Sequence, residues 1–321
     1  MRLLLTGASG FVGRNVLARC PASWDVVALY ASDETFPPFV RSLGAGGIQA
    51  ARCDLADAAQ VARFVVQHGG DWDCVLYLAG KVDIPWSVAN PRGDLLANTL
   101  PLLNVLEAIQ ADRFVHFSSG AVYEGLQGEV SPGCSVRPSL PYAISKLASE
   151  HYVEFARLRR KSIARHLVVR FFGAYGPYEA AHKIYTRLVR AFAIEQQRRY
   201  TIYGDGTNLI DAMFIDDAVE AIRLMLEGDH WNLTVNLAGG RPVTIEHLVS
   251  EVAAALGVDA VSIEKTGIAN EKNEFWGSVE QMQELYGFRP RVSLSDGIRR
   301  FRDFLIAEPT PDGGHASARS N

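Results

Sequence analysis

The 321-residue chain has little of what marks the specialised protein classes. Its four cysteines, Cys20, Cys53, Cys74 and Cys134, stand far apart with no Cys-x-x-Cys pair, so their spacing offers neither a zinc site nor a disulfide framework. They read as reduced structural thiols of a cytoplasmic protein, and no metal site is expected. Long apolar runs are also missing. The opening stretch MRLLLTGASGFVG has three leucines before glycines interrupt it, too short for a signal-peptide core or a membrane span. Neither export nor a membrane partner is expected. With 32 basic and 36 acidic residues the formal charge is -4, so there is no overall basic field to attract nucleic acid. No internal repeat is visible, which argues against a solenoid or propeller. What remains is ordinary: 48% hydrophobic and 21% charged residues describe a globular chain with a sizeable core. The stretch 307–321 is small, polar and rich in Gly, Pro and Ser, and is expected to be a disordered tail.

Within that globule, short apolar runs recur: RLLLT, DVVALY, IQAARC, CVLYLA, RFVHFS and HLVVRFF. Segments of helical length and spacing separate them, at 11–19, 55–67, 94–110 and 142–160. This alternation predicts an α/β fold, a Rossmann doubly wound parallel sheet covered on both faces. After Arg170 the pattern loosens into GAYGP and YGDGTN, with helices expected near 183–197 and 245–256. Strands AMFI and TVNLA are expected to return to the sheet. The Rossmann domain is therefore placed at 1–172 plus about 202–237, and a smaller interleaved C-terminal substrate-binding lobe at 173–201 plus about 238–306.

Strand RLLLT runs directly into Gly7-Ala8-Ser9-Gly10-Phe11-Val12-Gly13 and then a helix. A dinucleotide turn needs glycine at these points. Gly7 makes the tight turn, Gly10 lets the backbone approach a pyrophosphate, and Gly13 lets helix and strand come close. The helix N-terminus then faces the phosphates. An acid that would hold the adenosine ribose of NAD belongs at the end of DVVALY, where the chain has Tyr30-Ala31-Ser32. Nothing there repels the extra phosphate of NADP, and no arginine stands there to attract it, so the cofactor is NAD or NADP. Asp33 lies slightly late for the role. Asp54 is a candidate for the adenine amino group, or alternatively a helix N-cap.

Tyr142 and Lys146 are four residues apart at the start of a helical stretch and project from one face. A phenol with an ordinary pKa of about 10 is a weak base, and a nearby cation stabilises its phenolate. The pair is thereby a proton shuttle for a substrate hydroxyl whose carbon gives up hydride, and Lys146 is also placed to hold the nicotinamide ribose. Ser119 ends the strand run FVHFSS, at the carboxyl edge where open sheets bind ligands, and is the candidate for orienting the substrate oxygen. Ser118 is expected on the opposite face, bonded to backbone.

These residues resemble the extended short-chain dehydrogenase/reductase superfamily, and within it the NAD(P)-dependent epimerase/dehydratase family that acts on nucleotide sugars. TGASGFVG, LYLAG, HFSSGAVY, PYAISK, VRFFGAYGP, YGDG and FIDDAVEAI follow the family's order over roughly residues 1 to 306. The resemblance implies that Ser119, Tyr142 and Lys146 are catalytic. It implies that Gly7, Gly10, Phe11, Val12, Gly13, Asp54, Leu55, Ala79, Gly80 and Asn98 contact or support the cofactor, with Lys81 and Phe171 as weaker additions. It also implies a homodimer built on the helices at 94–110 and 142–160, single-chain packing being the alternative.

Departures from the pattern cluster where a nucleotide diphosphate would lie. Gly173 stands where the family places Asn, Ile210 where it places an arginine, and the later arginine before FWGS is missing. Neither Gly nor Ile can supply charge-assisted donors to phosphate. Lys183, Arg187 and Arg190, three and four apart, are a replacement or a solvated basic face. Sugar-nucleotide 4,6-dehydratases carry an acid directly after the catalytic Ser or Thr; here Gly120 and Ala121 follow, and Glu124 is displaced. The resemblance then implies an epimerase of a sugar substrate, nucleotide-linked and acting at C4. An NAD(P)H-dependent reductase of a keto sugar or other small carbonyl compound is the alternative, and a non-catalytic dinucleotide sensor is a third reading.

Overall fold

The computed structural model describes residues 1–267 and 272–307. The β-branched and aliphatic runs form strands β1 (Arg2–Thr6), β2 (Asp25–Tyr30), β3 (Ile48–Arg52), β4 (Asp71–Tyr77), β5 (Gln110–Ser119), β6 (Ile163–Phe171) and β7 (Leu233–Leu237). They make one parallel sheet in the order β3-β2-β1-β4-β5-β6-β7. Alternate residues enter opposite cores. Leu3 and Leu5 of β1 lie with Val26, Ala28 and Leu76 in one, and Leu4 lies with Val27, Leu29, Val75 and Tyr77 in the other. Burial on both faces is why these strands read as unbroken apolar runs. The chain thus adopts the expected Rossmann α/β architecture. Strand order reverses at β1, which opens a crevice at the carboxyl ends of β1 and β4.

The crossover helices include α1 (Phe11–Ala18), α2 (Ala58–His68), α3 (Pro91–Asn98), α4 (Leu100–Ala108) and α5 (Pro141–Phe155). The single helix expected over 94–110 is two, because Pro101 has no N–H to continue the ladder and the chain breaks at Thr99. Helix α2 starts later than expected: Asp57 caps it by accepting from the N–H groups of Ala59 and Gln60. Asp54 therefore is not the N-cap. Helix α5 runs on into a π-turn, Ala156–Arg160, closed by Lys161 at φ +59°.

Of the two strands expected to return to the sheet, TVNLA does so as β7 against β6. AMFI does not. Met213–Phe214 is only two residues long and pairs with Ala174–Tyr175 outside the main sheet, before Ile215 opens a helix with Asp216 and Asp217 in its favourable first turn. Smaller ladders join Leu209–Ile210 to Val243–Thr244, Arg199–Ile202 to Ser262–Lys265, and Gln127–Val130 to Glu274–Gly277. The tail expected at 307–321 lies outside the described residues except for Ala307, which ends the helix Leu294–Ala307. Among the described residues no helix is long and apolar enough to cross a membrane, and no His, Cys, Asp or Glu group is arranged to hold a metal.

Candidate active site

Two of the three glycines of the first turn, Gly7 and Gly13, have no room for a side chain, and at Gly10 a Cβ would crowd the Gly7 carbonyl at 3.2 Å. A Cβ on Gly7, whose φ is +64°, would fall 2.8 Å from the Ala79 nitrogen; on Gly13 it would fall 2.6 Å from Ala8 and the Gly7 carbonyl. The N–H of Gly10 donates back to the Gly7 carbonyl at 3.0 Å, and no side chain caps α1. The leading N–H groups at Phe11 and Val12, whose side chains pack on the core, are thus left for an anionic ligand. Beside this turn a cavity of about 360 Å³ is lined by Gly7, Ser9, Tyr30, Ala31, Asp54, Leu55, Ala79, Gly80 and Lys81, among others. A glycine cradle, an uncapped helix start and a cavity at the strand switch fit a dinucleotide. Asp33 is not recruited to it: its carboxylate is held by Arg14 at 2.7 Å and by Thr35. The end of β2 accordingly presents no free carboxylate to a ribose.

Strand β5 and helix α5 bring the reactive groups together. The Ser119 hydroxyl lies beside the Tyr142 phenol and favours its ionised form, and Ser119 Oγ accepts the Ala121 N–H at 3.1 Å. Lys146 lies one turn along α5, buried, with Nζ donating to the Phe117 carbonyl at 3.0 Å. Ser87 Oγ accepts from the Tyr142 N–H at 3.3 Å and fixes the start of the helix. Phe171 is the register partner of Ser119 and packs edge-on against Phe117 at 5.6 Å. Asn98 Oδ1 accepts the Lys81 N–H at 2.9 Å, while the Lys81 ammonium sits 3.3 Å over the Trp86 ring.

Electrostatics refine the expected proton shuttle. Burial pushes the Tyr142 phenol up to about 12, Asp94 acts in the same direction, and only the Ser119 hydrogen bond opposes them. Burial pulls Lys146 down to about 8, against the charges of Glu150 and Asp94. The expected lowering of Tyr142 by Lys146 is therefore corrected, because desolvation of the phenolate is the larger effect. Ser118 faces away from Ser119 as expected, but its partner is the Glu150 carboxylate rather than backbone. Glu150 is paired with Arg170 at 2.9 Å, and both are buried.

Sequence reasoning missed Asp94, Glu150 and Ser87. Asp94 and Asn98 stand four apart on α3, a spacing that marks a shared face, but nothing in the chain tells which face is buried. In the lobe expected to bind substrate, Gly173 takes φ +146°, a conformation that disfavours the side chain expected there, and its carbonyl accepts the Met213 N–H. Ile210 is tied into a ladder with Val243. Arg187 is exposed near the rings of Tyr200 and Tyr203, at 5.8 and 6.0 Å. Glu124, the displaced acid, is committed: its carboxylate accepts from the Ser139 N–H at 2.6 Å, the Ser139 hydroxyl and the Leu140 N–H just before α5.

The chain matches the NAD dependent epimerase/dehydratase family over residues 3–238. It is 27% identical to an uncharacterized UDP-glucose epimerase of Bacillus subtilis (strain 168), covering 93% of this chain and 96% of that one. It is 26% identical to a dTDP-glucose 4,6-dehydratase of Streptomyces niveus, covering 93% and 90%. Among solved structures, the UDP-glucuronic acid 4-epimerase from Bacillus cereus in complex with UDP-glucuronic acid and NAD shares the fold, with a TM-score of 0.83, 24% identity, and coverage of 95% and 99%. Glycine cradle, Ser119, Tyr142 and Lys146 together with these matches place the chain in the NAD dependent epimerase/dehydratase family.

Proposed function

We propose that the chain is an NAD(P)-dependent C4 epimerase of a nucleoside-diphosphate sugar, working through a transient 4-keto sugar as a cytoplasmic homodimer. The observation that carries this reading is the Ser119–Tyr142–Lys146 group beside a dinucleotide cradle, with Gly120 and Ala121 rather than an acid directly after Ser119. The nicotinamide, when bound, takes up and gives back the hydride. Ser119 orients the C4 oxygen. Tyr142 accepts the hydroxyl proton as the C–H bond breaks and returns it to the keto oxygen once the sugar presents its other face. Within the folded chain the Ser119 hydroxyl is what opposes the burial that keeps the phenol protonated. Elimination needs an acid next to the sugar, and Glu124 is bound to Ser139 and Leu140 instead.

The relatives' names point to UDP- and dTDP-sugars as the class to test. Because Gly173 and Ile210 offer phosphate no charge, Arg187 in the lobe at 173–201 plus about 238–306 is the proposed diphosphate contact, with Gly173 giving backbone approach. The homodimer reading rests on Leu95 and Leu96 of α3 and Ile144, Tyr152 and Phe155 of α5, which are large, apolar and exposed. One observation favours the reductase reading: with Asp33 held by Arg14, the β2 end does not exclude NADP. Incubation of the purified chain with a panel of UDP- and dTDP-hexoses, analysed by NMR, separates the two. A C4 epimer formed without loss of NAD(P)H supports the epimerase; a 4-keto sugar reduced at the expense of NAD(P)H supports the reductase.

A further inference from the structure

Asp94 is fully buried in α3 and has no part in hydride transfer as described. Its Oδ1 accepts from Asn98 Nδ2 at 2.8 Å, while its Oδ2 is shut away from solvent with no hydrogen-bond partner. An unpartnered carboxylate oxygen in that setting is costly. Asn98 also grips the cofactor cleft: its Oδ1 accepts from the Lys81 N–H at 2.9 Å and its Nδ2 donates to the Lys81 carbonyl at 3.2 Å. Gly80 fits there because it has no side chain, since a Cβ would lie 2.8 Å from Asn98 Oδ1 and 3.3 Å from Lys146 Nζ. Asn98 and Lys146 thus converge on the Gly80–Lys81 turn, and Asp94 stands behind both.

We infer that Asp94 is a positioning residue: it locks the Asn98 amide onto the Gly80–Lys81 turn and places a buried carboxylate behind Tyr142 and Lys146. This rests on the site being the dinucleotide site proposed above. Three titratable groups face Lys146 from the elements around it. Glu150, on its own helix, is shared with Arg170 and Ser118. His116, on β5, is held neutral by burial and by Lys146 itself, which keep its pKa well below the usual value. Asp94, on α3, keeps an oxygen to spare. Its charge raises both Lys146 and Tyr142, so removing it lowers both.

The test is NADH binding, followed by nicotinamide fluorescence across pH, so that it does not depend on turnover. Wild-type affinity should fall as pH rises through about 8, where Lys146 loses its proton. Asp94→Asn should move that midpoint down by about one pH unit. Asp94→Ser, smaller and equally neutral, should shift it alike; Asp94→Glu should return it toward wild type, and Lys146→Met should remove the step. A midpoint that stays in place in a folded neutral variant, or that moves equally in Asp94→Glu, overturns the inference. Failure of both neutral variants to fold also counts against it, since Asp94 would then serve folding. Wild-type protein that binds NADH or NADPH normally but epimerises no sugar sinks the function proposed above and leaves Asp94's role standing; wild-type protein that binds neither NADH nor NADPH sinks both.

Discussion

At the scale of single residues, the chemistry depends on groups held far from their ordinary ionisation. Tyr142→Phe keeps the ring that fills the buried site and loses the proton. It should therefore cut turnover by about 10²–10⁴ while leaving NADH affinity and the melting temperature near wild type, which steady-state kinetics and thermal melts check together. Glu179 shows the same physics outside the site. Burial lifts its carboxyl to about 7 although the N–H and hydroxyl of Thr186 bind it. The folded chain holds this proton more tightly than the unfolded chain does. The contribution to stability is thus full below the ordinary value of 4.5 and is lost as pH rises through about 7. Glu179→Gln should melt about 3 °C above wild type at pH 8 and no higher at pH 4.5. Ser119, Tyr142 and Lys146 were legible in the sequence because strand end and i, i+4 spacing locate them. Asp94 was not, because burial of a lone helical acid is decided by packing from α5.

At the scale of elements, the strand-turn-helix around Gly7 was legible because only glycine satisfies its contacts. Gly13→Ala puts a methyl group 2.6 Å from backbone atoms of Gly7 and Ala8, which cannot give way as a flexible side chain would. It should weaken NADH binding at least about tenfold and cost about 1–3 kcal/mol of stability, measured by fluorescence titration and denaturant melts. Element boundaries were less legible. Pro101 splits a helix that apolar spacing alone reads as continuous, and Met213–Phe214 stops after two residues where an apolar run suggested a sheet strand. Glu124 shows how an element can settle chemistry. By binding Ser139 and Leu140 at the entrance to α5, it serves the helix that carries Tyr142 and is withheld from the sugar.

At the scale of the whole molecule, the parallel sheet was readable because strands buried on both faces leave continuous apolar runs. The small ladders outside that sheet were not, because they are two to four residues long and join distant segments. The apolar faces of α3 and α5 predict an assembly: Leu96→Asp combined with Phe155→Asp should halve the mass seen by light scattering without unfolding the protomer. The proposed substrate, too, belongs to this scale, since on that reading the lobe meets its diphosphate while Ser119 and Tyr142 meet its C4. In the proposed epimerase, hydride leaves and returns to one carbon within one site. A nucleoside-diphosphate sugar deuterated at C4 tests this most directly, by mass and NMR analysis of the product. Epimer that keeps its deuterium at C4, with no NAD(P)H consumed or released, is the predicted result; loss of the label, or stoichiometric change in NAD(P)H, contradicts it.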